Sequence, residues 1–297
     1  MKFWTSWDDH ILNADVIASL TVLAPGLLGS SVAKAVRSRG LAKTIHVWAR
    51  RAETRAGLRK LDWCDEVHDS PALASAHSDL VVVCTPVDRI VPIVEEIAPA
   101  LRPGAIVTDV GSVKSAIVRP AAAALRNRAH FVGSHPMAGS DRTGHAHASA
   151  DLFRGRPCFV TPLLETAPDA LETVVNFWKA LDAVVVTEKP EKHDEIVAHI
   201  SHLPHAVASV LCATLAARDR AWLHLAGPGL RDSTRIAASD ADLWRSILEM
   251  NREEVLRCVR AFQDELEVFQ AALANNDVFA IRSILERGRE YRSGLPS

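Results

Sequence analysis

Apolar residues fall along this chain in two rhythms, one before about residue 188 and another after it. In the first stretch, short apolar or β-branched runs alternate with segments of helical periodicity. Leu20 to Leu23, Thr44 to Trp48, Asp79 to Cys84, Ala105 to Thr108, Pro157 to Thr161 and Ala183 to Val186 read as buried strands. Between them Ser30 to Arg39, Ala52 to Lys60, Pro71 to His77, a segment from Val87, Ser112 to Leu125 and Asp169 to Leu181 read as helices. Repeated strand-helix units with short connections predict an α/β fold, a doubly wound and mostly parallel Rossmann-like sheet with right-handed crossovers.

Beyond Thr187-Glu188-Lys189-Pro190 no β-branched strand recurs, and the rest reads as helices: His193 to Ala217, then a Gly-Pro-Gly break at 227–229, then Asp240 to Asn251, Arg252 to Ala274 and Val278 to Arg287. In the long one, Val255, Val259, Phe262, Leu266 and Phe269 recur at three- and four-residue steps, which gives one apolar face on a charged helix. Such a face needs a partner surface, so the all-helical half is expected to form a homodimer. The predicted domains are 1–188, dinucleotide-binding with an unread extension at 1–18, and 189–297, helical.

Composition narrows the partners. The chain has 297 residues, 48% of them apolar, and a net charge of −2, so each half is long enough to own a core. No basic block points to nucleic acid or an anionic membrane, which leaves a small molecule as the expected partner. The five cysteines are scattered singly with no CxxC pair, which suits a reducing cytoplasm and argues against a disulfide framework or a zinc site. The N-terminus lacks the apolar core of a signal peptide, and the longest apolar region is broken by histidines and a proline, so neither export nor a membrane span is expected.

Ala24-Pro25-Gly26-Leu27-Leu28-Gly29 stands where a G-x-G-x-x-G fingerprint would, after a strand and opening a helix, with alanine in the first glycine's place. Gly26, Leu27, Leu28 and Gly29 are therefore the expected diphosphate site, with the helix N-terminus presenting free N–H groups. Where NAD enzymes carry an acid for the ribose, Ala49 is followed by Arg50 and Arg51. That favours a 2′-phosphate and hence NADP over NAD; the alternative is a solvated helix start. Thr85 and Pro86, at the carboxyl end of a central strand, are placed to line the nicotinamide ribose, and Gly111 joins them.

The stretch Gly133-Ser134-His135-Pro136-Met137-Ala138-Gly139-Ser140-Asp141-Arg142-Thr143-Gly144 reads as an irregular glycine-rich turn just after the apolar pair Phe131-Val132, so that His135 stands at the end of a strand with small residues leaving room for a ligand beside it. Asp109-Val110-Gly111-Ser112-Val113-Lys114 closes a strand and opens a helix, where Ser112 also suits the N-cap. Downstream come His193-Asp194, Ser201-His202-Leu203-Pro204-His205, and Gly229-Leu230-Arg231-Asp232-Ser233-Thr234-Arg235 with Ser239-Asp240 and Leu243-Trp244. Together, in this order, these motifs resemble the prephenate/arogenate dehydrogenases of tyrosine biosynthesis over about residues 20 to 260.

The resemblance implies oxidative decarboxylation of prephenate or arogenate with hydride transfer to NAD(P). It assigns His135 to the ring hydroxyl, as a neutral proton acceptor, with Ser112 sharing that hydroxyl or holding the groups in register. It matches Arg235 to the arginine that pairs with a substrate carboxylate. Arg231, four residues earlier, is placed to help if the segment is helical, and a surface arginine is its alternative. His202 and His205, three apart around Pro204, are expected to line the pocket, or else to be packed and hydrogen-bonded. No metal is expected, and no appended regulatory domain, so feedback by tyrosine would act at the site itself. The rival readings are another β-hydroxyacid-type dehydrogenase and a non-catalytic dinucleotide sensor.

Overall fold

A computed structural model describes residues 17–139 and 144–295. The N-terminal extension through residue 16 and the Ser140 to Thr143 part of the glycine-rich stretch lie outside the described residues.

Strand β1 (Ile17–Leu23) leads through the fingerprint into α1 (Leu27–Arg39), which ends on Gly40 in the left-handed conformation. β2 (Ala42–Trp48), α2 (Ala52–Leu58), the edge strand β3 (Glu66–His68) and α3 (Pro71–Ser75) follow. The three-residue β3 was not foreseen, because Glu66-Val67-His68 is too short and too polar to show a period. Next come β4 (Leu80–Val83), buried at every residue, α4 (Val87–Ile97), β5 (Ile106–Asp109) and α5 (Ser115–Leu125). β6 (His130–Pro136), β7 (Pro157–Thr161), α6 (Pro168–Ala180) and β8 (Val184–Thr187) complete one eight-stranded sheet in the order β3-β2-β1-β4-β5-β6-β7-β8.

All neighbours pair in parallel except β6 with β7. Both faces of the sheet are covered, which explains why its central strands are apolar on successive residues rather than alternately. On one face Leu20, Val22, Ile45 and Val47 pack with Val32 and Val36 of α1 and with Trp178 of α6. On the other, Leu23, Val81 and Val83 pack with Ile90 and Val94 of α4 and Ile117 of α5.

The helical half opens with α7 (Pro190–Val197), a π-helical turn (Ala198–His202) and α8 (Leu203–Ala216) in one continuous run. It begins three residues earlier than the sequence suggested, with Pro190 at the first helical position, where a missing N–H does no harm. This run, Pro190–Ala216, is long and apolar enough to cross a membrane by length and composition. Its buried imidazoles and carboxylate, His193, Asp194, His202 and His205, instead face the protein interior. α9 (Pro228–Thr234), α10 (Ala241–Met250, capped by the Asp240 side chain) and α11 (Arg252–Ala274) follow. The last helix, α12 (Val278–Ser293), extends six residues past the expected end. Ile247 of α10 joins the core beneath α4, so the two halves share packed interior.

Candidate active site

His135 stands at the end of a strand, as expected, but not in open space. β6 continues through it to Pro136, because its antiparallel partner β7 supplies hydrogen bonds as far as Cys158 and places Phe159 opposite His135. The histidine is only 8% exposed. The space beside it is occupied by the ring of His193, whose Nε2 lies 2.9 Å from His135 Nδ1, and Phe159 packs edge-on against that second ring.

Hydrogen bonding fixes the proton on each ring. His193 Nδ1 lies 2.7 Å from a carboxylate oxygen of Asp194, so Nδ1–H donates there and Nε2 keeps its lone pair. His135 Nδ1–H then donates to His193 Nε2, which leaves His135 Nε2 as a bare acceptor. Burial, with the neighbouring His193 and the Lys114 ammonium adding to it, holds the His135 imidazole well below its ordinary value and hence neutral. Burial likewise lowers His193, against the pull of Asp194. Asp194 is itself kept below the usual carboxylate range: burial opposes this, but the His193 hydrogen bond and donors from Ser115 and Lys114 outweigh it.

Those donors correct the expectation for Ser112. α5 starts at Ser115, and Ser112 is not its cap. The first turn of α5 is capped from the other half of the chain: Asp194 accepts from the backbone N–H groups of Lys114 and Ser115, each at 2.8 Å. Ser112 is left half-buried, its hydroxyl without a hydrogen-bond partner among the described residues. Beneath it, fully buried Lys114 forms an ion pair with fully buried Asp109 and donates to the Ser134 carbonyl at 2.9 Å. Asp109 also accepts from Ser134 N–H at 3.1 Å, so the ends of β5 and β6 are tied through one carboxylate.

At the other end of the sheet's carboxyl edge, Ala24 has φ of +61°, the left-handed conformation that a glycine would hold there without strain. The tight turn therefore forms despite the alanine. A Cβ on Gly29 would meet Val22 and Cys84 at 3.0 and 3.1 Å, so this residue lets α1 approach the sheet. A Cβ on Gly26 would meet nothing within 4 Å; this backbone faces open space. α1 has no side-chain cap and no acid in its first turn, so the N–H groups beside Leu27 and Leu28 are suited to an anion. Thr85, at the end of β4, has a buried hydroxyl with no hydrogen-bond partner among the described residues, and Pro86 beside it is exposed. These features fit a dinucleotide. Ala49 is buried, its carbonyl held by Arg55 at 2.9 Å, while Arg50 and Arg51 are exposed. Gly111 differs from expectation: its N–H is engaged by the Asp109 carboxylate at 2.8 Å and a Cβ would collide with Ile90 at 2.6 Å, so it serves packing.

Two comparisons decide the family. Residues 32–187 match the family described as prephenate dehydrogenase, nucleotide-binding domain, and residues 189–287 match prephenate dehydrogenase, dimerization domain. The chain belongs to the prephenate dehydrogenase family. It is 32% identical over 275 residues to the prephenate dehydrogenase of Bacillus subtilis, covering 91% of this chain and 74% of that one. Among solved structures it resembles prephenate dehydrogenase from A. aeolicus in complex with hydroxyphenyl propionate and NAD+, with a TM-score of 0.86 and 29% identity over 93% of this chain and 98% of that one. It also resembles Synechocystis arogenate dehydrogenase, with a TM-score of 0.80 and 28% identity over 93% and 99% of the two chains. Membership of this family makes the chain an oxidoreductase of the nicotinamide-dependent type and sets aside another β-hydroxyacid-type dehydrogenase.

Two of the remaining predicted residues meet Trp244. His205 is buried and stacks on the Trp244 indole with ring centroids 3.4 Å apart, and His202 meets the same indole edge-on at 6.0 Å. His202, though, is wholly enclosed. Asn251 donates to its Nδ1 at 3.1 Å, which puts the proton on Nε2, and that N–H has no partner among the described residues. Burial pushes His202 down to about 4 and lowers His205 as well. Arg231 lies in α9 and Arg235 opens the short turn Arg235–Ala238, which packs on α8. Both guanidinium groups are exposed, with no ion pair among the described residues. His193, Asp194 and Lys114 stand within the motifs that carry the resemblance but were given no role of their own, and nothing in the sequence marked Asn251.

Proposed function

We propose that this chain catalyses the oxidative decarboxylation of prephenate or arogenate with NADP as the favoured acceptor. The observation that carries the reading is the chain of hydrogen bonds from Asp194 through His193 to His135, which leaves one neutral imidazole nitrogen available at the end of a sheet strand.

The dinucleotide, when bound, accepts hydride from the ring carbon that bears the hydroxyl. Gly26, Leu27, Leu28 and Gly29 would hold its diphosphate, and Thr85 and Pro86 its nicotinamide ribose. His135 Nε2 accepts the hydrogen bond of the ring hydroxyl and draws on its proton as hydride leaves the same carbon. The bond to the departing carboxyl group breaks, its electron pair enters the ring, and CO₂ leaves. His135 returns the proton to what is now a phenolic oxygen. Ser112 shares the hydroxyl or keeps it in register. Arg235, with its planar fork, pairs with a substrate carboxylate, aided by Arg231. His205 lines the pocket, whereas His202 supports it from behind through Asn251.

Arg50 and Arg51 support the NADP preference: a charge-assisted hydrogen bond to a 2′-phosphate contributes about 1.5–3 kcal/mol, roughly ten- to a hundredfold in affinity. The domain division at 188/189, a homodimer through the helical half and a cytoplasmic location belong to the same reading. Exposed apolar side chains on the helical half, including Val210, Leu266 and Phe279, the last 83% exposed, support the dimer. The test is a rate assay of prephenate and arogenate, each with NAD and NADP, read by absorbance of the reduced nicotinamide. Absence of reduction in all four combinations favours a dinucleotide sensor and overturns the proposal.

A further inference from the structure

On the outer edge of the sheet, far along the strand order from β6, the pairing of β2 with β3 sets His46 opposite Glu66 and Trp48 opposite His68. In parallel strands, registered residues and those two apart share a face, so the three side chains of His46, Glu66 and His68 project together. His46 Nδ1 lies 3.0 Å from His68 Nε2, and one carboxylate oxygen of Glu66 lies 3.6 Å from the first nitrogen and 3.5 Å from the second. The two rings are hydrogen-bonded to one another, so one of the two nitrogens carries a proton that a cation would displace, and the Glu66 carboxylate oxygen stands just beyond hydrogen-bonding distance of both.

We propose that His46, Glu66 and His68 form a binding site for a first-row divalent cation of the zinc class. Zinc bonds of about 2.0–2.1 Å at tetrahedral angles put neighbouring donors roughly 3.3–3.4 Å apart. The three separations of 3.0, 3.5 and 3.6 Å bracket that value without any change of backbone. Two imidazoles and a carboxylate suit zinc, cobalt or nickel rather than calcium or magnesium, which require more oxygen donors. The imidazoles are mostly sheltered, while Glu66 is 59% exposed at its side chain, so the fourth position opens to water. Among the described residues no other three His, Cys, Asp or Glu side chains bring their donor atoms together in this way. The ion would fasten a three-residue edge strand to β2, three residues ahead of Ala49 and the exposed arginines that follow it. This site is independent of the reaction proposed above, so its test uses readouts other than turnover.

Cobalt(II) titrated into the metal-stripped full-length protein is expected to give one equivalent of the intense visible bands of a four- or five-coordinate ion, displaced by zinc. His46→Gln and His68→Gln are each expected to weaken binding tenfold or more, and Glu66→Gln to weaken it less. His135→Asn should bind cobalt like the parent. Zinc should raise the melting temperature of the parent and leave that of His46→Gln unmoved. Should either imidazole variant fold poorly, Glu66→Gln, altered at an exposed carboxylate, carries the comparison. A six-coordinate cobalt spectrum, or equal affinity in parent and all three variants, overturns the site.

Discussion

Asp194 caps the helix that begins at Ser115, 79 residues before it, and the same carboxylate accepts the hydrogen bond of His193 Nδ1–H. One side chain of the helical half thus fixes both the start of α5 and the tautomer of the ring that faces His135. Helix capping and proton positioning, usually separate, depend here on one contact across the two halves.

His135→Asn should abolish most turnover and keep dinucleotide binding. Loss of a positioned proton acceptor lowers the rate by about 10²–10⁴-fold, and fluorescence titration with the dinucleotide should give parental affinity. Parental turnover would remove the assigned role.

His193→Phe preserves ring volume but deletes the acceptor for His135 Nδ1–H. His135 then loses its enforced tautomer, and kcat should fall roughly ten- to a hundredfold, within the range that attends loss of an orienting partner, while KM changes little. Steady-state kinetics with the preferred substrate separates the two constants, and an unchanged kcat would sink the relay.

Arg235→Ala should act on the other constant. Removing a charge-assisted pair with a carboxylate costs about 1.5–3 kcal/mol, so KM should rise tenfold or more. A KM equal to the parent's would place the carboxylate site elsewhere.

Acid should act on activity and stability in the same direction. His135, His193, His202 and His205 are all lowered from an ordinary value of 6.5 by burial. Below 6.5 the unfolded chain takes up protons that the folded chain refuses, so the unfolded state binds more protons and stability falls as pH falls. Above 6.5 this contribution is complete. Denaturant melts from pH 8 down to about pH 5 should therefore show declining stability, and the acid limb of kcat/KM should lie below 6.5, because the free imidazole must be neutral to act. A limb above that value would contradict the burial argument.

Ala24→Gly tests the alanine in the fingerprint. Left-handed backbone costs a residue with a Cβ about 1–2 kcal/mol, and the added freedom of glycine in the unfolded chain returns about 0.4–1 kcal/mol of that. The variant should be as stable as the parent or more stable by up to about 1 kcal/mol, with dinucleotide affinity equal or higher. Clear destabilisation in urea would show that the positive φ of Ala24 is not strained.

Much of this protein was legible in its order of residues. Short apolar runs set against 3.6-residue periods gave the strands and helices of a doubly wound sheet, since burial on both faces removes alternation and leaves continuous runs such as Leu80–Val83. Gly26 and Gly29 marked the turn before α1, and the order of the motifs marked the family. These are local signals, carried within one turn or one strand. The sequence could not show that β6 and β7 run antiparallel, that the ring of His193 fills the space beside His135, or that Asp194 and not Ser112 caps α5. Nor could it show that His46 and His68, 22 residues apart, come within 3.0 Å. Each depends on which distant segments pack side by side, and that is chosen by the summed burial and hydrogen bonding of the whole fold, in which no single stretch of sequence holds both partners.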